Sequence, residues 1–566
     1  MISRDTPIFL YFADFRKLNG YILTLDQEKA FDYMHRDFLF KVLRKMQFGE
    51  KILEWLSVLY TDTQAHVLVN GFVSIMFPVE RGVRQGCPLS APLYSIYVET
   101  LIAAIEADPL ILPFNIPGRR VPKTIQYADD FTLLLSNRTS LTQLFKICQD
   151  FERATGSTIN VAKTQGLTLG RPSSRDPFFD TIHWRNDSGL EILGMTYFPD
   201  YLRTQNANWL KLLSAIRTDF THLKARSLSL TGKVLILNAV ILAKVWYKAS
   251  VLPLLPPDQR TLEKLIFDFL WDGKPDPIQR RTVYLPTAQG GLGLTHPLYQ
   301  QQSLHLKILY YVTSTLHDQP WLQLPRYWLG RTLAPLRRGW AFLGDNHLPH
   351  FIGADIPPYY RQLLDNFSVM DLSQLPPPDG VLLWKTHHFY PQFMKAHYHQ
   401  PKVYTDFWSY HHVDPNTMWK HVYTSYAFGS HKDVHFKILH RVLPTLAFMR
   451  CRFRGRGYNR LNTGCRSCPN HNVETIPHIF FRCIHAEPLL TYIYPSIDVL
   501  LQHKPFKLFH LTLNVFPPNI SPPVQRMIVT LLQITFYVLW THRNVRQFDG
   551  RNPSVLEGRH RIRQLF

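Results

Sequence analysis

Cysteine and acidic residues are scarce in this 566-residue chain. It contains six cysteines, too few for a disulfide scaffold, which favours a reducing compartment inside the cell. Its 42 Asp and Glu are outnumbered by 63 Lys and Arg, so the formal net charge is +21. A hydrophobic content of 45% excludes wholesale disorder. A folded chain this basic is expected to bind a polyanion, nucleic acid first and an anionic membrane second.

Long hydrophobic runs are missing as well. The charge-free apolar stretch at 527–540 has 14 residues, fewer than the roughly 18 that are needed to span a bilayer. The first residues show no basic stretch followed by an apolar run, so no secretory signal is predicted. We therefore expect an intracellular protein with no membrane partner.

The pattern of apolar residues changes along the chain. Residues 1–170 alternate short apolar runs with helical patterns, which indicates an α/β or α+β unit. Apolar residues recur at helical spacing in 205–270, and 300–445 also has a largely helical pattern. Proline clusters mark candidate boundaries, at 252–257, 274–277, 376–378 and 517–523.

Three aspartates occur where strands are predicted to end or turn. The apolar run 21–25 predicts a buried strand that delivers Asp26 at its end, and Asp129 and Asp130 lie between two apolar runs, as in a hairpin. Acids in an apolar hairpin repel each other unless a cation neutralises them. If the strands are neighbours, the carboxylates can share two divalent ions about 3.5–4 Å apart. Taken alone, an Asp-Asp pair is more often a solvated turn.

Five segments in order resemble motifs of the reverse transcriptases of non-LTR (LINE-type) retrotransposons. Motif A is resembled by LDQEKAFD at 25–32, motif B by GVRQGCPLS at 82–90, and motif C by YADD at 127–130. Motif D is resembled by GSTINVAK at 156–163 and motif E by LGM at 193–195. Each string is weakly specific by itself, whereas the ordered set is very specific.

The resemblance implies a role for each matching residue. Asp26 and Asp129 would hold two magnesium ions, and Asp130 would complete the carboxylate cluster. Lys163 would protonate the departing pyrophosphate. Phe31 would exclude the ribose 2′-hydroxyl, although outside this motif it would be read as a core residue. The remaining residues predicted to contact the incoming nucleotide are Arg84, Gln85, Gly86 and Tyr127.

The resemblance also implies an architecture. We expect an α+β fold: a polymerase palm with an antiparallel sheet and helices, followed by a mostly α-helical thumb and linker and a small zinc-binding module. The 25 residues before Asp26 are too few for a fingers subdomain, so an N-terminally truncated chain is expected. The predicted regions are the palm at 1–200, the thumb-like helices at 201–295, the helical linker at 296–445, the zinc knuckle with a basic arm at 446–500, and the C-terminal helical tail at 501–566.

A cysteine–histidine cluster lies near the C-terminus. Cys465 and Cys468 are followed by His478 and Cys483, a spacing that fits one tetrahedral structural zinc ion. A buried thiol cluster is the alternative interpretation, and His471 or His485 could replace the histidine ligand. The surrounding sequence resembles the zinc-binding region that follows the polymerase in LINE proteins.

Basic residues suited to nucleic acid occur in two segments. The segment before the zinc knuckle is rich in arginine and also contains Phe453 and Tyr458. Arginine side chains can bind phosphates, and aromatic side chains can stack on unpaired bases. A solvated loop is the alternative. The residues predicted to bind nucleic acid are Arg450, Arg452, Arg454, Arg456 and Arg460 in this arm, and Lys224, Arg226 and Lys233 in the thumb-like segment.

These observations predict an RNA-directed DNA polymerase that adds deoxynucleotides by two-metal nucleotidyl transfer. Its expected partners are an RNA template, a DNA primer or target, and deoxynucleotide triphosphates. The resemblance implies target-primed reverse transcription and a nuclear location. The alternative function is a catalytically inactive, nucleic-acid-binding remnant of a retrotransposon. The sequence leaves the oligomeric state open.

Overall fold

The computed structural model describes most of the chain: residues 2–115, 122–127, 130–160, 163–170, 179, 181–313, 322–333, 356–368, 370–371, 385–397, 415–453, 458, 461–466, 468–469 and 471–566. The chain forms two compact units, each built from segments that are not contiguous in sequence. Unit 1 comprises Met1–Leu212, Tyr247–Leu254 and Gln301–Tyr390. Unit 2 comprises Leu213–Trp246, Leu255–Gln300 and Pro391–Phe566. The five-part division of the chain stays a prediction.

The described strands all lie in the first 200 residues. They are β1 (Gly20–Leu25), β2 (Gln64–Ala65), β3 (Leu68–Val69), β4 (Phe72–Val73), β5 (Phe77–Pro78), β6 (Thr124–Tyr127), β7 (Asp130–Leu135), β8 (Gln165–Leu169), β9 (His183–Trp184), β10 (Leu190–Ile192) and β11 (Met195–Tyr197). The helices among them are α1 (Ile2–Phe15), α2 (Arg36–Lys45), α3 (Glu50–Tyr60), α4 (Ser90–Ala107) and α5 (Arg138–Thr155).

The described chain after β11 is helical. Its α-helices are α6 (Tyr201–Lys224), α7 (Leu230–Ile236), α8 (Leu242–Ala249), α9 (Pro256–Leu270), α10 (Arg280–Tyr284), α11 (Pro297–Thr313), α12 (Gln323–Leu333), α13 (Pro358–Ser368), α14 (Thr386–His397), α15 (Pro415–Trp419), α16 (Gly429–Leu439), α17 (Leu446–Arg452), α18 (Glu487–Leu500), α19 (Leu508–Thr512), α20 (Pro522–Asn544) and α21 (Val555–Leu565). Short π-helical turns occur at Leu237–Ile241, His478–Arg482 and Val545–Asp549. The predicted α+β class, a palm-like sheet followed by helices, is confirmed.

The five-stranded sheet of unit 1 has the order β6-β7-β1-β8-β9. Strand β1 pairs antiparallel with β7 and with β8, whereas β8 and β9 are parallel. The sequence of β1, GYILTL, is buried along almost its whole length, as expected for the central strand of a covered sheet. The register places Leu25 opposite Phe131. Asp26 follows Leu25, and Asp130 precedes Phe131. The two aspartates therefore lie at the same edge of the sheet.

Two long helices, α4 and α5, contribute to the core that covers the sheet. Tyr94 and Tyr97 of α4 are fully buried, as are Leu141 and Leu144 of α5. Helix α5 begins where the Asn137 side chain accepts a hydrogen bond from the backbone N–H of Ser140, and it ends at Gly156 with φ of 68°. Such a left-handed terminal residue favours glycine. The glycine that starts the predicted motif D is thus the residue that stops α5.

Helix α20 is the centre of unit 2. Its residues are buried on almost all sides, including polar Gln533 and Thr535. The Gln533 amide donates to the carbonyl of Val422 and accepts from the Ser425 hydroxyl at 2.6 Å. Buried polar groups are tolerated in a protein core when they are paired in this way.

Two helical stretches of the described chain, Leu230–Ala249 and Pro522–Asp549, are long and apolar enough to cross a bilayer. Length and composition are weak indications, because the core helix of a folded domain meets the same criteria. The second stretch is mostly buried inside unit 2. The expectation of no membrane partner stays a prediction.

Two buried histidines in unit 2 are hydrogen-bonded as neutral rings. His435 lies 2.9 Å from the carbonyl of Thr512 through Nε2, and its Nδ1 is 3.2 Å from the Gln533 amide nitrogen. His440 lies 2.8 Å from the carbonyl of Gly290 through Nε2. Burial lowers the pKa of each ring from 6.5 to about 4. The hydrogen bond to the backbone carbonyl raises the pKa, but by less than burial lowers it.

Acid is therefore expected to destabilise unit 2. On unfolding, each histidine regains a pKa near 6.5, so the unfolded chain binds more protons between about pH 6.5 and 4. Stability is lost as the pH falls through this window, by up to about 3 kcal/mol per histidine. Urea unfolding between pH 7 and 4 measures the effect. His435→Gln should flatten the pH dependence, whereas replacing the exposed His560 by glutamine should not. Equal slopes for the wild type and His435→Gln would contradict this account.

Candidate active site and candidate metal centre

A cleft of about 400 Å³ opens at the edge of the sheet where β1 ends and β7 begins. Asp26 and Asp130 both line it and both are exposed. They reach it because β1 and β7 are antiparallel, so the end of one strand meets the start of the other. Asp129 lies outside the described residues. The structure thus brings together two of the three predicted carboxylates.

The predicted motif D segment runs alongside Asp26. The backbone N–H of Asn160 donates to the carbonyl of Asp26 at 2.8 Å, and Gln27 forms a β-bridge with Ile159. Lys163 follows in the same segment and lines the cleft, with its Nζ 3.5 Å from a carboxylate oxygen of Asp26. Both side chains are at least half exposed. The predicted proton donor therefore lies beside a predicted metal ligand.

Phe31 occupies the turn after β1 and is partly buried. Its ring stacks on Tyr94 with the centroids 4.6 Å apart. The Tyr94 hydroxyl in turn donates to the side-chain oxygen of Gln27. A stacked, half-buried ring has little freedom to move, which suits a residue that acts by steric exclusion.

The first residue of the predicted motif B is tightly packed, whereas the residues predicted to contact the nucleotide are exposed to solvent. Gly82 has φ of 77°, and a Cβ there would lie 2.7 Å from the carbonyl oxygens of Phe31 and Asp32. The next residues predicted to contact the nucleotide are exposed, and a Cβ on Gly86 would meet nothing within 4 Å. Motif B is thus anchored at Gly82 against motif A. The predicted nucleotide-contacting residues that are exposed are Arg84, Gln85, Gly86 and Tyr127.

The predicted motif E forms a two-residue hairpin turn between β10 and β11. Leu193 and Gly194 have φ of 49° and 72°, as in the turns that match the twist of antiparallel strands. Leu193 lines the cleft. The turn therefore borders the same space as Asp26 and Asp130.

The cysteine–histidine cluster is assembled in unit 2. The ligand atoms of Cys465, Cys468, His478 and Cys483 all lie within 4.8 Å of one another, and all four residues are buried. Cys468 Sγ is 3.3 Å from His478 Nε2 and 3.7 Å from Cys483 Sγ. A zinc tetrahedron with metal–sulfur distances of about 2.3 Å has edges of about 3.8 Å. The cluster is compatible with a zinc site in its donor set and its spacing.

The Cys483 thiol of this cluster favours the protonated form. A hydrogen bond with Cys465, followed by burial, raises the pKa of the Cys483 thiol. A metal ion bound here would displace the proton of Cys483, since the thiolate is the ligand.

Comparisons with known proteins agree with the geometry of the cleft. Residues 7–197 match the family model described as reverse transcriptase (RNA-dependent DNA polymerase). The chain is 30% identical over 292 residues to the transposon TX1 uncharacterized 149 kDa protein of Xenopus laevis, a match that covers 50% of this chain and 22% of that protein. It is 22% identical over 305 residues to the Pol polyprotein from the type-2 retrotransposable element R2DM of Drosophila melanogaster, covering 51% of this chain and 28% of that protein.

Residues 7–197 therefore resemble a reverse transcriptase, and the similar proteins are named as products of transposable elements. A Popillia japonica Pol polyprotein from a type-1 retrotransposable element R2 is 25% identical over 149 residues, covering 26% of this chain and 21% of that protein. The chain spans less than a third of the length of these curated relatives. The predicted family and enzyme class are confirmed. Catalysis by this chain stays a prediction.

The cleft also contains residues that the sequence did not point to. His183 and Arg185 of the β9 segment line it together with Gln165. Behind the motif E turn, Lys248 of α8 donates to the carbonyl of Gly194 at 2.6 Å. No sequence motif marks these positions, because they reach the site only through strand pairing and helix packing.

Lys248 is itself unusual for a lysine. It is buried, and its Nζ also donates to the Asn208 side chain at 2.9 Å. Burial, followed by the charge of Lys211, lowers the pKa of Lys248 to about 8. The neighbouring Tyr247 hydroxyl donates to the carbonyl of Leu193. Two adjacent residues of α8 therefore hold both carbonyls of the motif E turn.

The predicted nucleic-acid-binding residues have different surroundings. Lys224 and Arg226 are exposed at and after the end of α6, and Arg450 and Arg452 are exposed in α17. The prediction for Lys233 requires a correction, because its Nζ is buried and bonds to Asp272 at 2.7 Å and to the carbonyl of Leu270. A lysine held in this way stabilises unit 2 and is not presented to a phosphate. The predicted contacts that lie outside the described residues are Arg454, Arg456 and Arg460.

A buried ion pair connects the cysteine–histidine segment to α20. Glu474 and Arg543 are each less than a tenth exposed. Arg543 Nε donates to Glu474 Oε2 at 3.1 Å, and a terminal guanidinium nitrogen donates to Oε1. Glu474 also accepts from the backbone N–H of Leu446 at 2.9 Å. One carboxylate thus joins the start of α17, the cysteine–histidine segment and α20.

Removing one partner of this pair is expected to be costly. Glu474→Ala would leave Arg543 buried without its counter-charge, which typically costs about 3–5 kcal/mol. Urea unfolding of the full chain measures the change. Arg551→Ala, which removes an exposed pair with Glu557, should leave the free energy of unfolding nearly unchanged. A similar small effect for Glu474→Ala would show that the pair does not stabilise unit 2.

Proposed function

We propose that the cleft at the ends of β1 and β7 is the active site of an RNA-directed DNA polymerase. The observation that carries this proposal is the position of Asp26 and Asp130, on neighbouring strands and in one cleft, with Lys163 beside Asp26. The reaction would add a deoxynucleotide to the 3′-hydroxyl of a DNA primer on an RNA template.

The cleft has the donor set that magnesium ions require. Carboxylate oxygens are the ligands that Mg²⁺ prefers, and Asp26 and Asp130 present theirs to solvent at adjoining strand ends. These two residues and Asp129 would hold two ions. When bound, such ions activate an attacking hydroxyl and stabilise a leaving pyrophosphate.

Residues around the carboxylates would position and select the nucleotide. Phe31, fixed by its stacking on Tyr94, would exclude a ribose 2′-hydroxyl by its bulk. Lys163 would donate a proton to the departing pyrophosphate from its position 3.5 Å from Asp26. Arg84 and Gln85, exposed beyond the Gly82 anchor, would contact the triphosphate and the base.

The rest of the chain would serve nucleic-acid binding. The Cys465, Cys468, His478 and Cys483 cluster would hold one structural zinc ion, and the exposed Arg450 and Arg452 side chains of the basic arm lie on the helix α17 just before it. We further propose that the chain acts on a nicked DNA target as primer, in the nucleus. The basic excess of +21 supports a nucleic-acid partner of this kind.

Primer extension tests the polymerase activity directly. Purified full-length chain is given an RNA template, a labelled DNA primer, deoxynucleotides and Mg²⁺, and template-dependent extension is the expected result. Extension that does not depend on the template, or that continues in EDTA, would contradict the proposal.

A second measurement tests the metal site without requiring turnover. Fe²⁺ replaces Mg²⁺, and hydroxyl radicals produced with ascorbate and peroxide cut the backbone near the bound ion. We expect cuts near residues 26 and 130 that are lost in Asp26→Asn. Cuts elsewhere only would show that the cleft does not bind the ions. Binding of an RNA–DNA hybrid without metal-directed cuts or extension is the result expected of the inactive remnant.

A further inference from the structure

The cleft has a second wall whose charge is opposite to that of the carboxylates. Lys163, His183 and Arg185 line the side formed by β8 and β9. Asp26 and Asp130 lie on the side formed by β1 and β7. The sheet order β6-β7-β1-β8-β9 places His183 and Arg185 on the other side of β1 from Asp130, and Lys163 lies between them, 3.5 Å from Asp26.

Strand geometry explains why β9 presents two polar side chains to this space. Successive residues of a strand face opposite sides of the sheet. Trp184 faces the core, where its ring stacks on Phe179 with the centroids 4.5 Å apart and a Cβ on Gly166 would lie 2.8 Å from it. His183 and Arg185, on either side of Trp184, consequently face the cleft.

Arg185 is positioned by its neighbours and keeps its charge available. Its backbone N–H donates to the carbonyl of Gly166 at 2.8 Å, and its Nε donates to the Gln165 side chain at 3.2 Å. Within the described part of the chain, no carboxylate lies within ion-pair distance of it. Glu191, which lines the cleft on the same side, is 3.4 Å from Lys211.

We propose that Arg185 and His183, with Lys163, form a phosphate-binding wall for the DNA strand whose 3′ end lies at the carboxylates. This inference rests on the proposed polymerase function. A 3′-hydroxyl placed at Asp26 and Asp130 brings the last phosphates of its strand into the cleft. The acidic side repels those phosphates and the basic side attracts them.

A guanidinium fixed through Nε leaves its terminal nitrogens to donate to phosphate oxygens, which is the geometry that favours arginine over lysine. The triphosphate of an incoming nucleotide offers the same chemistry. The experiment therefore has one arm for the strand and one for the nucleotide.

The first arm measures hybrid binding by the full chain without catalysis. A fluorescein-labelled RNA–DNA hybrid with a recessed DNA 3′ end is titrated in EDTA at several salt concentrations, and anisotropy gives the affinity. Arg185→Met is expected to weaken binding about 3–10-fold and to reduce the slope of log affinity against log salt by about 1. Arg185→Lys should restore the slope. Arg153→Met, which removes an exposed arginine of α5 paired with Asp150, should change neither quantity.

The second arm measures binding of inorganic tripolyphosphate to the same variants. If Arg185→Met leaves hybrid binding unchanged and weakens tripolyphosphate binding, the proposed contact to the DNA strand is wrong and these residues bind the triphosphate of the nucleotide instead. If both affinities are unchanged, the proposal is wrong. His183→Gln gives an independent variant, expected to weaken hybrid binding about 2–3-fold, and circular dichroism verifies that each variant is folded.

The two proposals fail separately. Binding in EDTA does not depend on nucleotide transfer, so loss of affinity in Arg185→Met supports the wall even in a chain that extends no primer. Conversely, an unchanged affinity in Arg185→Met, combined with extension that requires Asp26, would overturn the wall and leave the polymerase assignment intact.

Discussion

Asp26→Asn is expected to reduce primer extension by about 100-fold or more. The substitution keeps the size of the side chain and removes the negative charge that would hold a metal ion. The ions supply several kcal/mol of transition-state stabilisation, and each 1.36 kcal/mol is tenfold in rate. The same loss is expected for Asp130→Asn, since both carboxylates line one cleft. Steady-state primer extension at saturating hybrid measures it.

The matched control for these variants is Asp150→Asn. Asp150 is an exposed carboxylate on α5 of the same unit, paired with Arg153 and not among the residues that line the cleft. Its substitution should leave extension unchanged. Hybrid binding in EDTA should persist in Asp26→Asn, because the substitution removes a repelling charge. Extension by Asp26→Asn at the rate of the control would refute the assignment of the site.

Cys468→Ser is expected to lower bound zinc from one equivalent per chain to less than half. The Sγ atom of Cys468 lies 3.3 Å from Nε2 of His478 and 3.7 Å from Sγ of Cys483. Its loss leaves three ligands, and serine oxygen is a poor substitute for thiolate. Because metal binding is coupled to folding of such sites, the melting temperature should fall as well. Metal analysis of purified chain and thermal unfolding measure both effects.

An exposed cysteine provides the comparison for this experiment. Cys451 lies in α17, shortly before the cluster, and it is exposed and outside the ligand set. Cys451→Ser should retain one equivalent of zinc and the melting temperature of the parent chain. A wild-type chain that binds less than half an equivalent would contradict the zinc assignment, whatever the variants do.

Local sequence predicted the parts of the site that depend on local chemistry. The apolar run 21–25 predicted a buried strand, and β1 is Gly20–Leu25 with Asp26 next to it. The two runs around Asp130 predicted paired strands, and β6 and β7 form them. These predictions succeed because alternation, apolar runs and turn residues act over a few positions.

The neighbours of the site required the fold. Arg185 and Lys248 lie 159 and 222 positions after Asp26 in the sequence. Nothing in their local sequence indicates that they lie near the site. Arg185 reaches the cleft because β9 pairs with β8, and Lys248 reaches the motif E turn because α8 packs behind it. Lys233 was wrongly predicted to contact nucleic acid, because sequence does not show whether a lysine is buried against a carboxylate.

The sequence by itself predicted the reverse transcriptase resemblance, the carboxylates and the cysteine–histidine cluster, because those residues are required by chemistry at short and ordered spacings. The tertiary structure alone decided which side chains surround them. It placed Lys163 at Asp26, a basic wall on β8 and β9, and Glu474 in a buried pair with Arg543. The physical reason is that burial and charge pairing arise between segments distant in sequence, and only the packed chain brings these segments into contact.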